Sequence, residues 1–200
     1  VRTLALSVQG FRNLMLHTER SSAISWLMEH GFRVAVLTRE IAEQEGADSS
    51  RSNCAFSAGL LHDIGKLVLL RADEERYFHC LARWADGGCS LERLETDEFG
   101  ASHAEAGGYL LGAWGLLPEV FLAVARHHAI PRPAGPDWTV ADETGLWVRV
   151  ADLLDHIEMD TGQAEEARQE MAMLERGPQG ERVARWVAAR RGRLVQEKAA

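Results

Sequence analysis

Between Ser22 and Glu45 the apolar residues return with helical period, Leu27, Val34, Leu37 and Ile41 sharing one face, and Gly46 follows as a stop. His30 falls on that same face, so a core position is given to imidazole. From Cys54 to Leu70 the run CAFSAGLLHDIGKLVLL is apolar nearly all round, which predicts a central helical element covered by its neighbours and interrupted only by the charges of Asp63 and Lys66. Asp73 to Ala85 reads as a further helix closed by Gly87 and Gly88, and Ser102 with Glu105 forms a capping box opening a helix through Trp114. Pro118 suits the first turn of the next helix, which runs to His128, and the stripe Leu146, Val150, Leu153, Ile157 predicts another from about Glu143 to Met159. Sustained period-two alternation and Asn-Gly or Asp-Gly hairpin turns are missing, so the fold class is all-α.

The segment PRPAGPDW, residues 131–138, predicts a surface loop. Beyond Gly162 the chain becomes rich in surface charge, with a Gly177-Pro178 break between two helix-forming stretches. The expected organisation is a domain over residues 1–160 and an appended, separable helical segment over 161–200, free to contact a partner. Its Arg182, Arg185, Arg190, Arg191 and Arg193 read as a solvated helix face, with an anionic partner as the other reading.

Composition narrows the classes without naming one. Of 200 residues, 46% are hydrophobic and 26% charged, as in an ordinary globular domain. Lys and Arg number 22 against 30 Asp and Glu, a net charge of -8, which argues against general nucleic-acid binding and against an anionic membrane surface. Cys54, Cys80 and Cys89 form no CxxC pair, so neither a disulfide framework nor a zinc ribbon is indicated and a reducing cytoplasm is expected. Cys54 reads as a buried small residue rather than a reactive thiol. Every apolar stretch is interrupted well short of the roughly 20 residues of a membrane helix, and the N-terminus lacks a basic n-region. Because residue 1 is Val, the chain reads as a segment of something longer.

The chemistry lies in polar residues standing where apolar ones belong. His62 and Asp63 sit inside GLLHDIGKLVLL, where an isolated buried carboxylate costs several kcal/mol unless a cation or donors compensate it. His127 and His128 border the face of Val120, Phe121 and Val124; Asp152 lies beside the stripe of its helix, and His103 in the first turn of the capped one. Singly, each histidine reads as a hydrogen-bonded core residue. Together, neutral imidazoles and ionised carboxylates make a mixed nitrogen and oxygen donor set suited to Fe, Mn, Zn or Ni, or with fewer nitrogens to Mg.

The order His30, His62-Asp63, Asp152 resembles the H…HD…D pattern of the HD superfamily, helical metal-dependent phosphohydrolases. AFSAGLLHDIGKLVLL, E…FGASHAEAGGYLLGAWGLLPEV with Glu95, Phe99-Gly100, Trp114 and Pro118, AVARHHAIP and VRVADLLD resemble the successive blocks of the HDOD family over roughly residues 3–157. VRTLALSVQGF resembles the middle of the family's N-terminal helical region, an N-terminally clipped start that would leave an apolar seam exposed. The resemblance implies an HD-domain-like helical bundle with the HD residues facing one another at its centre, in a regulatory module of bacterial signalling proteins joined to partner or signalling domains, for which hydrolysis is not established. It implies a metal set of His30, His62, Asp63 and Asp152, with His103, His127 and His128 placed as further ligands in the related HD-GYP phosphodiesterases and Asp63 as the bridge. One or two divalent transition-metal ions would be the cofactors. Lys66, in HDIGK, matches a phosphate-contacting position, pointing to a small phosphorylated or nucleotide ligand. A metal-dependent phosphohydrolase is the alternative reading, although the Gly-Tyr-Pro motif of the phosphodiesterases is replaced by HHAIPRPAGPDW, so cyclic di-GMP hydrolysis is not expected.

Overall fold

Leu27, Val34, Leu37 and Ile41 lie along one face of helix α1, Ser21–Gln44, with His30 fully buried among them. Gly46 closes the helix at φ 77°, a left-handed conformation that costs a glycine little, and Ala47 N–H reaches back to the Ala42 carbonyl. The computed structural model describes residues 21–129 and 135–199, so the N-terminal stretch of the resemblance and the first half of the proline-rich loop lie outside the described residues.

Asp48 accepts a hydrogen bond from Arg51 N–H and opens α2, Ser49–Leu61. The apolar run that suggested one central element is in fact two helices, because the chain turns at Asp63 (φ -96°, ψ 6°) before α3, Ile64–Ala72. That turn aims consecutive side chains, His62 and Asp63, at one interior point instead of at positions 100° apart around a helix. Helix α4, Glu74–Ala85, is capped by Asp73, and α5, Leu91–Phe99, which the sequence pattern did not announce, by Ser90. The Ser102/Glu105 capping box opens α6, His103–Ala113, as expected. Pro118 is the first residue of α7, Pro118–Arg126, which ends two residues short of His128.

Helix α8, Val140–Glu158, is the axis of the bundle. It packs against α1, α2, α7 and α9, and its Leu146, Trp147, Val148, Val150, Ala151, Leu153 and Leu154 are all buried. Thr139 and Asp142 cap it reciprocally, and Asp142 Oδ1 also meets Arg126 at 2.9 Å. Burial alone would raise the Asp142 carboxyl, but these hydrogen bonds and the guanidinium hold it at about 2. A carboxyl whose folded pKa is depressed contributes stability that is full above its unfolded value and lost as pH falls through the folded one. Asp142→Asn is therefore expected to cost about 1–2 kcal/mol in urea unfolding at pH 7, and the difference from wild type should shrink from pH 4 toward pH 2.

Helices α9, Ala164–Arg176, and α10, Gly180–Ala199, follow Gly162 and pack onto the bundle. Ala167, Met171 and Leu174 of α9, and Val183, Trp186 and Val187 of α10, belong to the same buried core as α1 and α8. Four arginines of α10 pair with carboxylates of other helices: Arg182 with Glu45 and Glu143, Arg185 with Glu45, Arg190 with Glu158, and Arg193 with Glu40. Trp186 Nε1–H donates to Glu45 Oε1 at 2.8 Å. None of the described helices is long and apolar enough to cross a membrane.

Candidate metal centre

Six helices or their ends deliver side chains to one buried place: His30 from α1, His62 and Asp63 from the α2–α3 turn, His103 from the start of α6, His127 and His128 from the end of α7, and Asp152 and His156 from α8. All are buried except His128, which is partly so. Close approach of α3 to α6 depends on Gly65, where a Cβ would run into the His103 carbonyl oxygen. Without that approach, Asp63 Oδ1 could not lie 3.4 Å from His103 Nε2.

The rings share one design, in which Nδ1 is tied outward and Nε2 faces inward. His62 Nδ1–H donates to the Gly59 carbonyl at 2.8 Å and His127 Nδ1–H to the Val124 carbonyl at 2.6 Å. Since a carbonyl can only accept, the neutral tautomer of each is fixed, with a lone pair on Nε2. His30 Nδ1 faces Asp155 Oδ2 at 2.8 Å, His103 Nδ1 faces Glu95 Oε2 at 2.6 Å, and His156 Nδ1 faces the Thr161 hydroxyl at 2.9 Å. His128 Nδ1 stands 2.8 Å from Glu92 Oε1. The outer acceptors are themselves held: Arg33 binds Asp155 through two nitrogens, and Glu95, fully buried, also accepts from His103 N–H and Tyr77 O–H.

Inside, Asp152 Oδ1 is 3.2 Å from His30 Nε2, 3.3 Å from His156 Nε2 and 3.8 Å from His62 Nε2. Asp63 turns Oδ2 toward His62 and His30, at 3.5 and 3.8 Å, and Oδ1 toward His103. His103 and His128 bring their Nε2 atoms within 3.0 Å of each other. Three sets of donors each gather within 4.8 Å: His30, His62 and Asp63; His30, Asp152 and His156; and His103, His127 and His128.

Electrostatics match this arrangement. Burial lowers His62, and burial with the neighbouring His128 and His62 takes His127 well below its ordinary value, so both rings are neutral. Burial, aided by Arg149, pulls His128 down to about 4. Burial acts in the same sense on His30 but is outweighed by hydrogen bonds to Asp152 and Asp155, which raise it to about 9. Against the burial that disfavours their charge, Asp63 is held ionised by Lys66 and the histidines around it, and Asp152 by His156 and His30. Lys66 Nζ lies 2.6 Å from Asp63 Oδ2, and Arg149 reaches Asp152 Oδ2 at 3.1 Å while binding Glu170 of α9 through two further nitrogens.

The Nε2 atoms of His62 and His127 are buried without a hydrogen-bond partner. Neutral imidazole lone pairs beside ionised carboxylates, with no donor to satisfy them, are the groups that a cation completes. The cluster can therefore hold a metal ion.

The family model of the HDOD domain matches residues 1–130. This chain belongs to the HDOD domain family. The HDOD fold extends to a crystal structure titled "Putative phosphohydrolase" from Shewanella amazonensis, with a TM-score of 0.64 and 19% identity over 92% of this chain and 71% of that one. No curated protein matches the sequence.

All the residues singled out in the sequence, namely His30, His62, Asp63, His103, His127, His128, Asp152 and Lys66, stand in this cluster or at its edge. Sequence reasoning passed over His156 and Asp155, although His156 stands four residues beyond Asp152, on the same side of α8. It likewise passed over Glu92, and Glu95 entered only through the family resemblance. Because Glu95 orients His103, Glu95→Gln is expected to weaken metal binding about 10–100-fold, the usual cost of losing such an outer partner. Competition against a chromogenic chelator measures this.

Proposed function

We propose that this HDOD domain is a regulatory module with one or two divalent transition-metal ions, Fe, Mn, Zn or Ni, at its centre. The observation that carries the reading is the set of inward Nε2 lone pairs without donors beside Asp63 and Asp152. His30, His62, Asp63 and Asp152, joined by His156, would hold the first ion. His103, His127 and His128 would hold a second, with Asp63 as the bridge through its two oppositely facing oxygens. A bound ion of this kind polarises phosphoryl oxygens and lowers the pKa of coordinated water.

Two features favour signal relay over turnover. A phosphohydrolase needs cations free to clamp phosphate oxygens as well as a metal, and here Lys66 is engaged by Asp63 and Arg149 by Asp152 and Glu170. The Gly-Tyr-Pro element is also missing. On this reading the chain belongs to a cytoplasmic bacterial signalling protein and acts through protein partners or attached domains, and a small phosphorylated ligand would reach Lys66 by replacing Asp63 as its counter-ion. The second reading, a metal-dependent phosphohydrolase, draws on the complete donor set.

Metal content of protein purified without a histidine tag tests the centre; less than a tenth of an equivalent overturns it. Protein loaded in turn with Fe, Mn, Ni and Zn is expected not to hydrolyse cyclic di-GMP and to act at most slowly on nucleotides and p-nitrophenyl phosphate. Turnover above about 1 per second, within the ordinary enzyme range, that disappears in Asp63→Ala would establish the phosphohydrolase instead.

A further inference from the structure

The polar cleft over the histidine cluster does not end at Arg149. It has a volume of about 100 Å³ and is lined by Asp63, Lys66, His103, Asp152 and their neighbours. Four of its residues, His128, Arg149, Glu166 and Glu170, also line a second cavity of about 400 Å³ between α8, α9, the 177–179 turn and α10. The two spaces differ in character. The second is walled chiefly by Leu146, Met173, Leu174, Pro178 and Val183.

We propose that these adjoining spaces form one bipartite site for a phosphorylated ligand bearing an uncharged apolar or aromatic portion. Its phosphoryl group would meet Lys66 and Arg149 in the polar cleft, and its apolar portion would fill the cavity beyond. The inference rests on the metal-centre reading above, for a charge reason: Asp63, Glu92, Asp152, Glu166 and Glu170 put five carboxylates in the cleft against two fixed cations, Lys66 and Arg149. An anion enters only once divalent ions reverse that balance.

Size divides the ligand in the same way. A space of 100 Å³ corresponds to a few water volumes, enough for a phosphoryl group and little else. The 400 Å³ cavity falls in the range of small-molecule sites, roughly 300–1,000 Å³, which are mainly apolar with a few placed polar groups. Arg149 stands where the two parts would join, with Glu170 as its present counter-ion, so a phosphoryl group would take the place of a carboxylate on the same guanidinium. Met173, 66% exposed at the wall of the cavity, is an unbranched side chain able to adapt to an apolar guest.

The test is calorimetric titration of the Mn-loaded full chain with three probes: methylphosphonate, naphthylmethylphosphonate and the neutral 2-naphthalenemethanol. Naphthylmethylphosphonate is expected to bind at least tenfold more tightly than methylphosphonate, and the neutral alcohol far more weakly than either. Met173→Asp and, separately, Gln169→Trp, both at exposed positions lining the cavity, should reduce the advantage to under threefold while leaving methylphosphonate binding unchanged. Equal binding of the two phosphonates, or an advantage that survives both substitutions, overturns the bipartite site and leaves the metal centre standing. Neutral alcohol binding as tightly as the naphthyl phosphonate also overturns it, because the two spaces then act separately. If neither phosphonate binds protein of verified metal content, the anion-accepting centre fails and the bipartite site fails with it.

Discussion

A chain ending at Gly162 is expected to lose its cooperative thermal transition. The truncation removes Met171, Leu174, Val183, Trp186 and Val187, all buried in the common core. At about 1.5–3 kcal/mol for each buried apolar side chain, the loss is about 8–15 kcal/mol, as large as the whole stability of an ordinary domain, about 5–15 kcal/mol. It also strips Glu45 of the Arg182 and Trp186 donors that hold it below its ordinary pKa against burial. Circular dichroism melting and limited proteolysis measure the outcome. A truncated chain that melts as sharply as the parent would establish the detachable segment.

Chelation is expected to produce the second large effect. An ion at a thousandfold excess over its dissociation constant stabilises the folded state by about 4 kcal/mol, and a domain of this size gains about 2–4 °C per kcal/mol, so loading should raise the melting temperature by about 8–16 °C. Asp63→Ala removes the carboxylate that faces both donor groups, and its melting temperature should not respond to metal or chelator. An Asp63→Ala variant that keeps the metal shift would show that the ion binds elsewhere. A wild-type chain indifferent to chelator would identify the cluster as a hydrogen-bonded core.

Helix positions were largely legible because their determinants are local. The stripe of α1, the Ser102/Glu105 box and Pro118 each act within a few residues. The missed helix α5 is short and charge-rich, so its apolar face was too slight to register beside its Ser90 cap. His30, His62 and Asp63 were legible because each stands where an apolar residue is due, and Asp152, beside the stripe of its helix, through the H…HD…D pattern. His156 and Asp155 were not, since both lie off the stripe of Leu146, Val150, Leu153 and Ile157 and are buried only because α8 is covered on nearly every side. The packing of the C-terminal helices was hidden for the opposite reason: abundant charge obscured Ala167, Met171 and Leu174 at helical spacing, and the carboxylates answering those charges lie on other helices.

From the sequence alone came the all-α class, most helix boundaries, and a set of histidines and aspartates too polar for the places they hold. The tertiary structure decided that the Asp63 turn splits one apolar run, that six Nε2 atoms face a common interior, and that α9 and α10 close the core and wall a second cavity. Capping and periodicity are encoded within one or two turns of chain, whereas convergence on a centre depends on how helices distant in sequence pack together.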